Sequence, residues 1–171
     1  MDVKEAIKNR KSIRKYKQDP VPEEHITELV DAARLAPSGN NAQPWRFRVL
    51  KTKEEIDILK KHRIAIQDFV YTAPLIIVCC GDPKAFVKSK GIDDSNEKRA
   101  LRDVSIGTAY MTLRAEELGL GSCYVGWIDK KKIKEVLGLP EEYIVPYLIT
   151  FGYPEGESKP LEKKRIDEVI V

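Results

Sequence analysis

Between Val104 and Ala115 the chain carries one charged residue, Arg114, although 33% of the sequence is charged. A helix of that composition has no polar face to turn toward water, so it must be nearly surrounded by protein. Gly119 ends it as a left-handed cap. The run Leu75 to Cys80 is equally apolar and reads as a strand covered on both faces. Together these demand a sheet with a helix buried against it, and 171 residues bury such a core without disulfide support.

The remaining elements follow from local signals. Asp2 with Glu5, and Thr52 with Glu55, are capping boxes for a first helix with an apolar side of Val3, Ala6 and Ile7, and for a short helix ending near Lys61. Pro22, Glu23 and Glu24 open another helix, which Pro37 stops. Trp45, Phe47 and Val49 alternate with Arg46 and Arg48, the pattern of a half-buried strand, with Trp45 in the core. A strand over Cys123 to Trp127, a helix capped by Asp129 and closed by Gly138, and a strand from Ile144 to Phe151 complete the order. Pro146 places that last strand at an edge or bulge. His25 sits at a Glu-Glu-His helix start and reads as solvated.

No apolar run reaches the length of a membrane span, and the start Met1-Asp2-Val3-Lys4-Glu5 has no apolar stretch behind it. Three cysteines, two of them adjacent, make no disulfide framework. Cys79 and Cys80 read as small core residues, and Cys123 as a packing residue. The expectation is a cytoplasmic chain with no membrane partner. Net charge is +3, but residues 1–17 carry a local +5 and residues 159–165 a local +3. Positive charge therefore sits at both ends, either solvated or converging on one anion. A pI near 8.6 without basic residues interleaved with exposed aromatics argues against nucleic acid.

Three segments could carry chemistry. In Arg10-Lys11-Ser12-Ile13-Arg14, an extended backbone points Arg10, Ser12 and Arg14 the same way, which suits a phosphate; on charge alone the segment reads equally as a solvated basic turn. In Pro37-Ser38-Gly39-Asn40-Asn41-Ala42-Gln43-Pro44-Trp45, turn geometry explains Pro, Gly and Asn, whereas Ser38, Asn41 and Gln43 add the donors and acceptors that a heteroaromatic edge or a sugar alcohol needs. In Leu118-Gly119-Leu120-Gly121-Ser122-Cys123-Tyr124-Val125-Gly126, the glycines let backbone approach another chain segment or a flat ligand. After Gly152 the chain stays extended, yet Ile166, Val169, Ile170 and Val171 are apolar and need a surface to lie on.

Taken in order along nearly the whole chain, these segments resemble the FMN-dependent nitroreductase family. The resemblance is carried by the R-x-S-x-R segment, the P-S-x-x-N-x-Q-P-W loop, Ala73-Pro74 before an aliphatic strand, L-G-L-G-S-C, Gly152-Tyr153-Pro154 and a late K-x-R. It implies an α+β (α/β sandwich) fold with a mixed, mostly antiparallel sheet around a buried central helix. Residues 1–171 would form one FMN-binding domain in an intertwined homodimer, with 153–171 an extended tail on the partner subunit. Arg10, Lys11, Ser12, Lys163 and Arg165 would surround phosphate and ribityl oxygens, and Arg14 the flavin pyrimidine, whose edge Gln67 would touch. Pro37, Ser38, Asn41 and Gln43 would come from the other subunit, and backbone from Cys123, Tyr124, Val125 and Gly126 would face the ring.

The implied activity is an NAD(P)H-dependent flavin oxidoreductase or nitroreductase. It would pass hydride through flavin N5 to nitroaromatics, quinones or similar small molecules by ping-pong kinetics, with no protein acid, nucleophile or metal. The alternatives are other reduced-flavin chemistry, such as dehalogenation or flavin breakdown, and a flavin-binding module without turnover. No Gly-rich dinucleotide fold distinguishes NADH from NADPH. Larger relatives roof the pocket with a helical excursion, for which this chain offers only the short, charged Pro83 to Arg102, and they place an acidic residue where this chain has Val125.

Overall fold

The sheet is built from four strands in the order β1-β2-β4-β3, where β1 is Trp45–Leu50, β2 Leu75–Gly81, β3 Gly121–Val125 and β4 Ile144–Gly152. The computed structural model describes residues 1–87, 95–156, 158 and 161–171; residues 88–94 of the Pro83 to Arg102 segment read as a short lid, with Lys159 and Pro160, lie outside the described residues. All three strand pairings are antiparallel. Among the described residues the α-helices are α1 Val3–Asn9, α2 Glu23–Arg34, α3 Lys53–Lys61, α4 Asn96–Glu117 and α5 Lys130–Leu137.

Local rules set most element ends. Asp2–Glu5 and Thr52–Glu55 form both reciprocal hydrogen bonds of a capping box, and Gly138 closes α5 in the left-handed conformation. Every residue of β2 is buried, because it lies inside the sheet with side chains packed on both faces. Ile76, Val78, Cys80 and Leu148 face Leu59 of α3 and Ile133 of α5. Leu75, Ile77, Ile149 and Phe151 face Leu29 of α2 and Val104 and Met111 of α4. Each fully buried Leu, Ile or Phe contributes about 1.5–3 kcal/mol through removal from water.

Several expectations change. The long helix is not surrounded within one chain: Val104, Thr108 and Met111 are buried, but Ser105, Ala109 and Tyr110 on its other side are exposed. Of the apolar side read for α1 only Ala6 is buried, while Val3 and Ile7 are exposed. Of the two places expected for Pro146, the structure gives the bulge and not the edge: the residue lies in an interior strand at the register irregularity opposite Cys79 and Gly81. There it escapes β3, whose pairing with β4 begins only at Leu148. The third strand starts at Gly121, where the N-terminal segment bridges Ser122, and stops before Gly126. His25 is half-buried rather than solvated, with Nδ1 lacking a hydrogen-bond partner among the described residues.

Gly121 and Gly152 are direct partners across β3 and β4. A Cβ on Gly121 would meet Ile13 Cγ1 at 2.6 Å, and one on Gly152 would meet Pro74 Cγ at 2.7 Å and Tyr16 Cδ1 at 3.0 Å. The pair makes a floor without side chains on which Ile13 to Tyr16 lies. Here the close approach allowed by glycine serves another chain segment.

Candidate functional site

The N-terminal segment is pinned from below. Ser12 bridges Ser122 in parallel, with Ile13 N–H donating to Ser122 O at 2.9 Å. Further on, Tyr16 bridges Pro154 and Lys17 N–H donates to Tyr153 O. The buried Tyr16 hydroxyl donates to Ile13 O at 2.5 Å and shares a hydrogen bond of 2.7 Å with Thr150 Oγ1. Burial, the largest influence, pushes its phenol far above the ordinary range.

With Ile13 and Tyr16 anchored downward, Ser12 is paired with Ser122, next to Cys123 and its thiol. Burial raises that thiol, while Arg14, the Ser12 hydroxyl and Arg10 each act in the opposite direction. Lys11 parts from them, its Nζ donating to Ser158 O at 2.7 Å. The Arg14 guanidinium stands 6.0 Å from the Phe69 ring centroid. Phe69 belongs to the short 3-10 turn Asp68–Thr72, which Gln67 precedes and caps with its carbonyl. The Gln67 turn is thereby brought to Arg14.

Beyond Cys123 the strand turns its side chains away. Tyr124 packs edge-to-face on Tyr147 with centroids 5.0 Å apart. Tyr147 hydrogen-bonds Thr108 Oγ1 of α4 at 2.7 Å, and burial pushes its phenol up to about 12. Val125 enters the core. At Gly126 a Cβ would meet nothing within 4 Å, so the backbone there borders open space.

The loop after α2 is built on unusual backbone. Asn40, Asn41 and Gln43 have φ of 55°, 54° and 49°, left-handed values that non-glycine residues adopt only when held. Ser38 Oγ accepts from Gln43 N–H at 3.0 Å, Asn41 N–H donates to Ser38 O at 3.0 Å, and Arg46 donates to Gln43 O at 3.2 Å. From beneath, Oδ2 of Asp103 on α4 accepts from Gly39 N–H at 2.9 Å. Asp103 is only 4% exposed. The side chains of Pro37, Asn41 and Gln43 are left outside.

Within one chain the structure does not unite all the residues read from the sequence. Among the described residues no hydrogen bond or ion pair joins the 37–43 loop to Arg10, Ser12 or Arg14. Lys163 and Arg165 are exposed, and Arg165 pairs with Asp167. Sequence reasoning missed Asp103, although a carboxylate one turn before Gly107 on the apolar face of α4 was the available signal. It also missed Tyr16, for which an aromatic two residues past the basic cluster gave no warning. Among the described residues no three His, Cys, Asp or Glu gather to hold a metal, and no helix is long and apolar enough to cross a membrane.

The site thus sets a basic segment pinned along one strand and a polar loop held in left-handed backbone on an α+β fold of one antiparallel sheet and a long helix. The Nitroreductase family profile matches residues 7–65 and 58–153, and the chain belongs to that family. It is similar to a nitroreductase family protein of Clostridium difficile 630, with 31% identity, a TM-score of 0.88, and 100% of this chain and 98% of that one covered. It is also similar to an FMN-dependent nitroreductase of Clostridium difficile R20291, at 33% identity and a TM-score of 0.77 over 92% of this chain and 90% of that one. An NADH dehydrogenase of Thermus thermophilus is 29% identical, with 100% of this chain and 96% of that protein covered.

Proposed function

We propose that this chain, as a homodimer, binds FMN and passes hydride from NADH or NADPH to small electron-poor acceptors such as nitroaromatics and quinones. The observation that carries this reading is the basic segment Arg10 to Arg14 laid beside β3 by the Ser12–Ser122 bridge, with open space at Gly126 where the strand ends. Two guanidiniums and a hydroxyl fit a phosphate and its ribityl chain, and a bare glycine backbone fits the edge of a flat ring. FMN, when bound, supplies the hydride-carrying atom N5.

The chain's own residues do the rest. Arg10 and Ser12 would hold phosphate and ribityl oxygens, joined by Lys163 and Arg165 once the tail is seated. Arg14, stacked by Phe69, would offset negative charge developing at the pyrimidine, whose edge Gln67 would meet. Ser38, Asn41 and Gln43 would reach the ring from the second subunit. Donor and acceptor use the same open face, so ping-pong kinetics are expected. Support for the dimer comes from apolar surface uncovered in one chain: Val3 at 72%, Ile7 at 60% and Ile170 at 68% exposure.

The test is a visible spectrum of the purified protein, followed by NADH and NADPH under anaerobic conditions. Flavin bands bleached by either nucleotide and restored by a nitroaromatic support the proposal. Bound flavin that stays oxidised favours a module without turnover, and failure to take up FMN overturns the reading.

A further inference from the structure

Two loops beside Gly126 are zipped into a rigid clamp that no part of the proposed cofactor site uses. Ala65 and Ile128 form an antiparallel bridge, flanked by hydrogen bonds from Ile66 N–H to Trp127 O at 3.3 Å and from Asp129 N–H to Ile64 O at 2.8 Å. The Tyr71 hydroxyl fixes the same loop, donating to Ala65 O at 2.7 Å and accepting from Ala65 N–H at 2.8 Å. The clamp borders a cavity of about 600 Å³ that includes Arg63, Ile66, Gly126 and Trp127.

What the clamp presents is unusual for a surface. Trp127 is 70% exposed and Ile66 78%, whereas the other tryptophan, Trp45, is 7% exposed. Arg63 supplies a second, independent signal. It ends α3 with φ of 50°, its N–H donating to Lys60 O and the next N–H reaching back to Leu59 O. That is a helix-ending position where glycine carries the left-handed backbone at less cost. Arg63 thus lines the same cavity as the exposed Trp127. The Asp129 carboxylate on the same wall is committed to Lys132 N–H at 3.0 Å as the cap of α5.

We infer that Trp127, Ile66 and Arg63 form the acceptor-selecting wall of the site, and that the acceptor they favour is a planar aromatic ring bearing an anionic group. The inference rests on the proposed FMN site, which puts Gly126 at the flavin and the clamp beside it. Trp127 and Ile66 supply a flat apolar contact for the ring, and Arg63 supplies the charge partner. A nicotinamide nucleotide also combines a flat ring with negative charge, so the two half-reactions must be followed separately.

The experiment uses the FMN-loaded protein in anaerobic stopped flow. The flavin is reduced with NADH, then reoxidised with 4-nitrobenzoate, with neutral 4-nitrobenzamide, or with dioxygen. Trp127→Ala is expected to lower the reoxidation rate constant for both aromatic acceptors about tenfold relative to dioxygen, and Trp127→Phe to restore most of it. Arg63→Gly is expected to reduce the preference for the nitrobenzoate about threefold while raising Tm, because the left-handed position is relieved. An equal loss with dioxygen, an unchanged preference in Arg63→Gly, or effects confined to the NADH half-reaction would each overturn the assignment. So would Trp127 fluorescence that acrylamide fails to quench in the dimer, since a second copy would then cover the wall. Protein that takes up no FMN, or whose FMN neither NADH nor NADPH reduces, sinks the proposed function itself and is recognised before any variant is made.

Discussion

Gly39 N–H donates to Oδ2 of Asp103 at 2.9 Å, joining the polar loop after α2 to the buried face of α4 across 64 positions of sequence. The bond ties left-handed backbone at Asn40, Asn41 and Gln43 to a rigid helix. The same helix exposes Ala109 and Tyr110 further along, so one element both holds the loop and presents surface that the proposed dimer would cover.

Removing the carboxylate should release the loop. Asp103→Ala is expected to cost about 1–3 kcal/mol, the range for leaving a buried donor unpaired. It should also weaken FMN binding, whereas Asp103→Asn, which keeps an acceptor, should recover most of both. Urea unfolding of the apo protein and FMN fluorescence titration check this; an Asp103→Ala protein with unchanged FMN affinity refutes the role.

The glycines should separate into two kinds. Gly121→Ala forces a Cβ to 2.6 Å from Ile13, and overpacking of that sort typically costs about 1–3 kcal/mol. Gly126→Ala meets nothing within 4 Å, so stability should stay within about 0.5 kcal/mol while FMN affinity falls. Denaturation midpoints and flavin titration of the two variants read the contrast directly.

Alkaline pH should destabilise the fold through its buried thiols. Burial pushes Cys80 from its ordinary value of 9.0 up to about 12, and raises Cys79 well above the same reference. Above pH 9 the unfolded chain releases protons that the native state retains. The stabilisation is therefore complete below about pH 9 and is lost as pH rises toward 12, at up to about 1.4 kcal/mol per unit for each thiol. Cys80→Ala should flatten the decline of urea midpoints between pH 8 and pH 11, and a thiol reagent at pH 8 should leave both cysteines unmodified in the folded protein.

The surface of α4 provides a test of assembly. Ala109→Arg places a charge on a position exposed in one chain, so the folded chain should persist with an unchanged circular dichroism spectrum. The dimer should dissociate in light scattering, and FMN should be lost with it because Asn41 and Gln43 would no longer meet Arg10 and Arg14. Retention of both dimer and flavin would remove α4 from the interface.

Sequence made the fold legible where the physics is local. Capping boxes at Asp2 and Thr52 fix helix starts, and the unbroken Leu75 to Cys80 run can only be an interior strand. The basic segment and the Ser38 to Gln43 loop were legible by residue type and by their resemblance to a family. Their geometry was not, because it depends on partners far along the chain. Nothing near Asn40 announces three left-handed residues, since the carboxylate beneath them lies in another element. Pro146 signalled a disturbed strand but could not say which, as a proline in an interior strand is tolerated only where the neighbouring strand ends short of it. Arg63 and Trp127 were invisible as a pair, because their nearness arises from a bridge between Ala65 and Ile128.

The Gly121–Gly152 floor has a consequence for the order of events during synthesis. The residues that would grip a phosphate are synthesised well before β4, the strand that completes the surface beneath them. Arg10 to Arg14 must wait, unpositioned, until Gly152 and Pro154 have emerged and paired. On the proposed reading FMN capture therefore requires β4, and a fragment ending before β4 should have every basic residue of the N-terminal segment and no affinity for FMN.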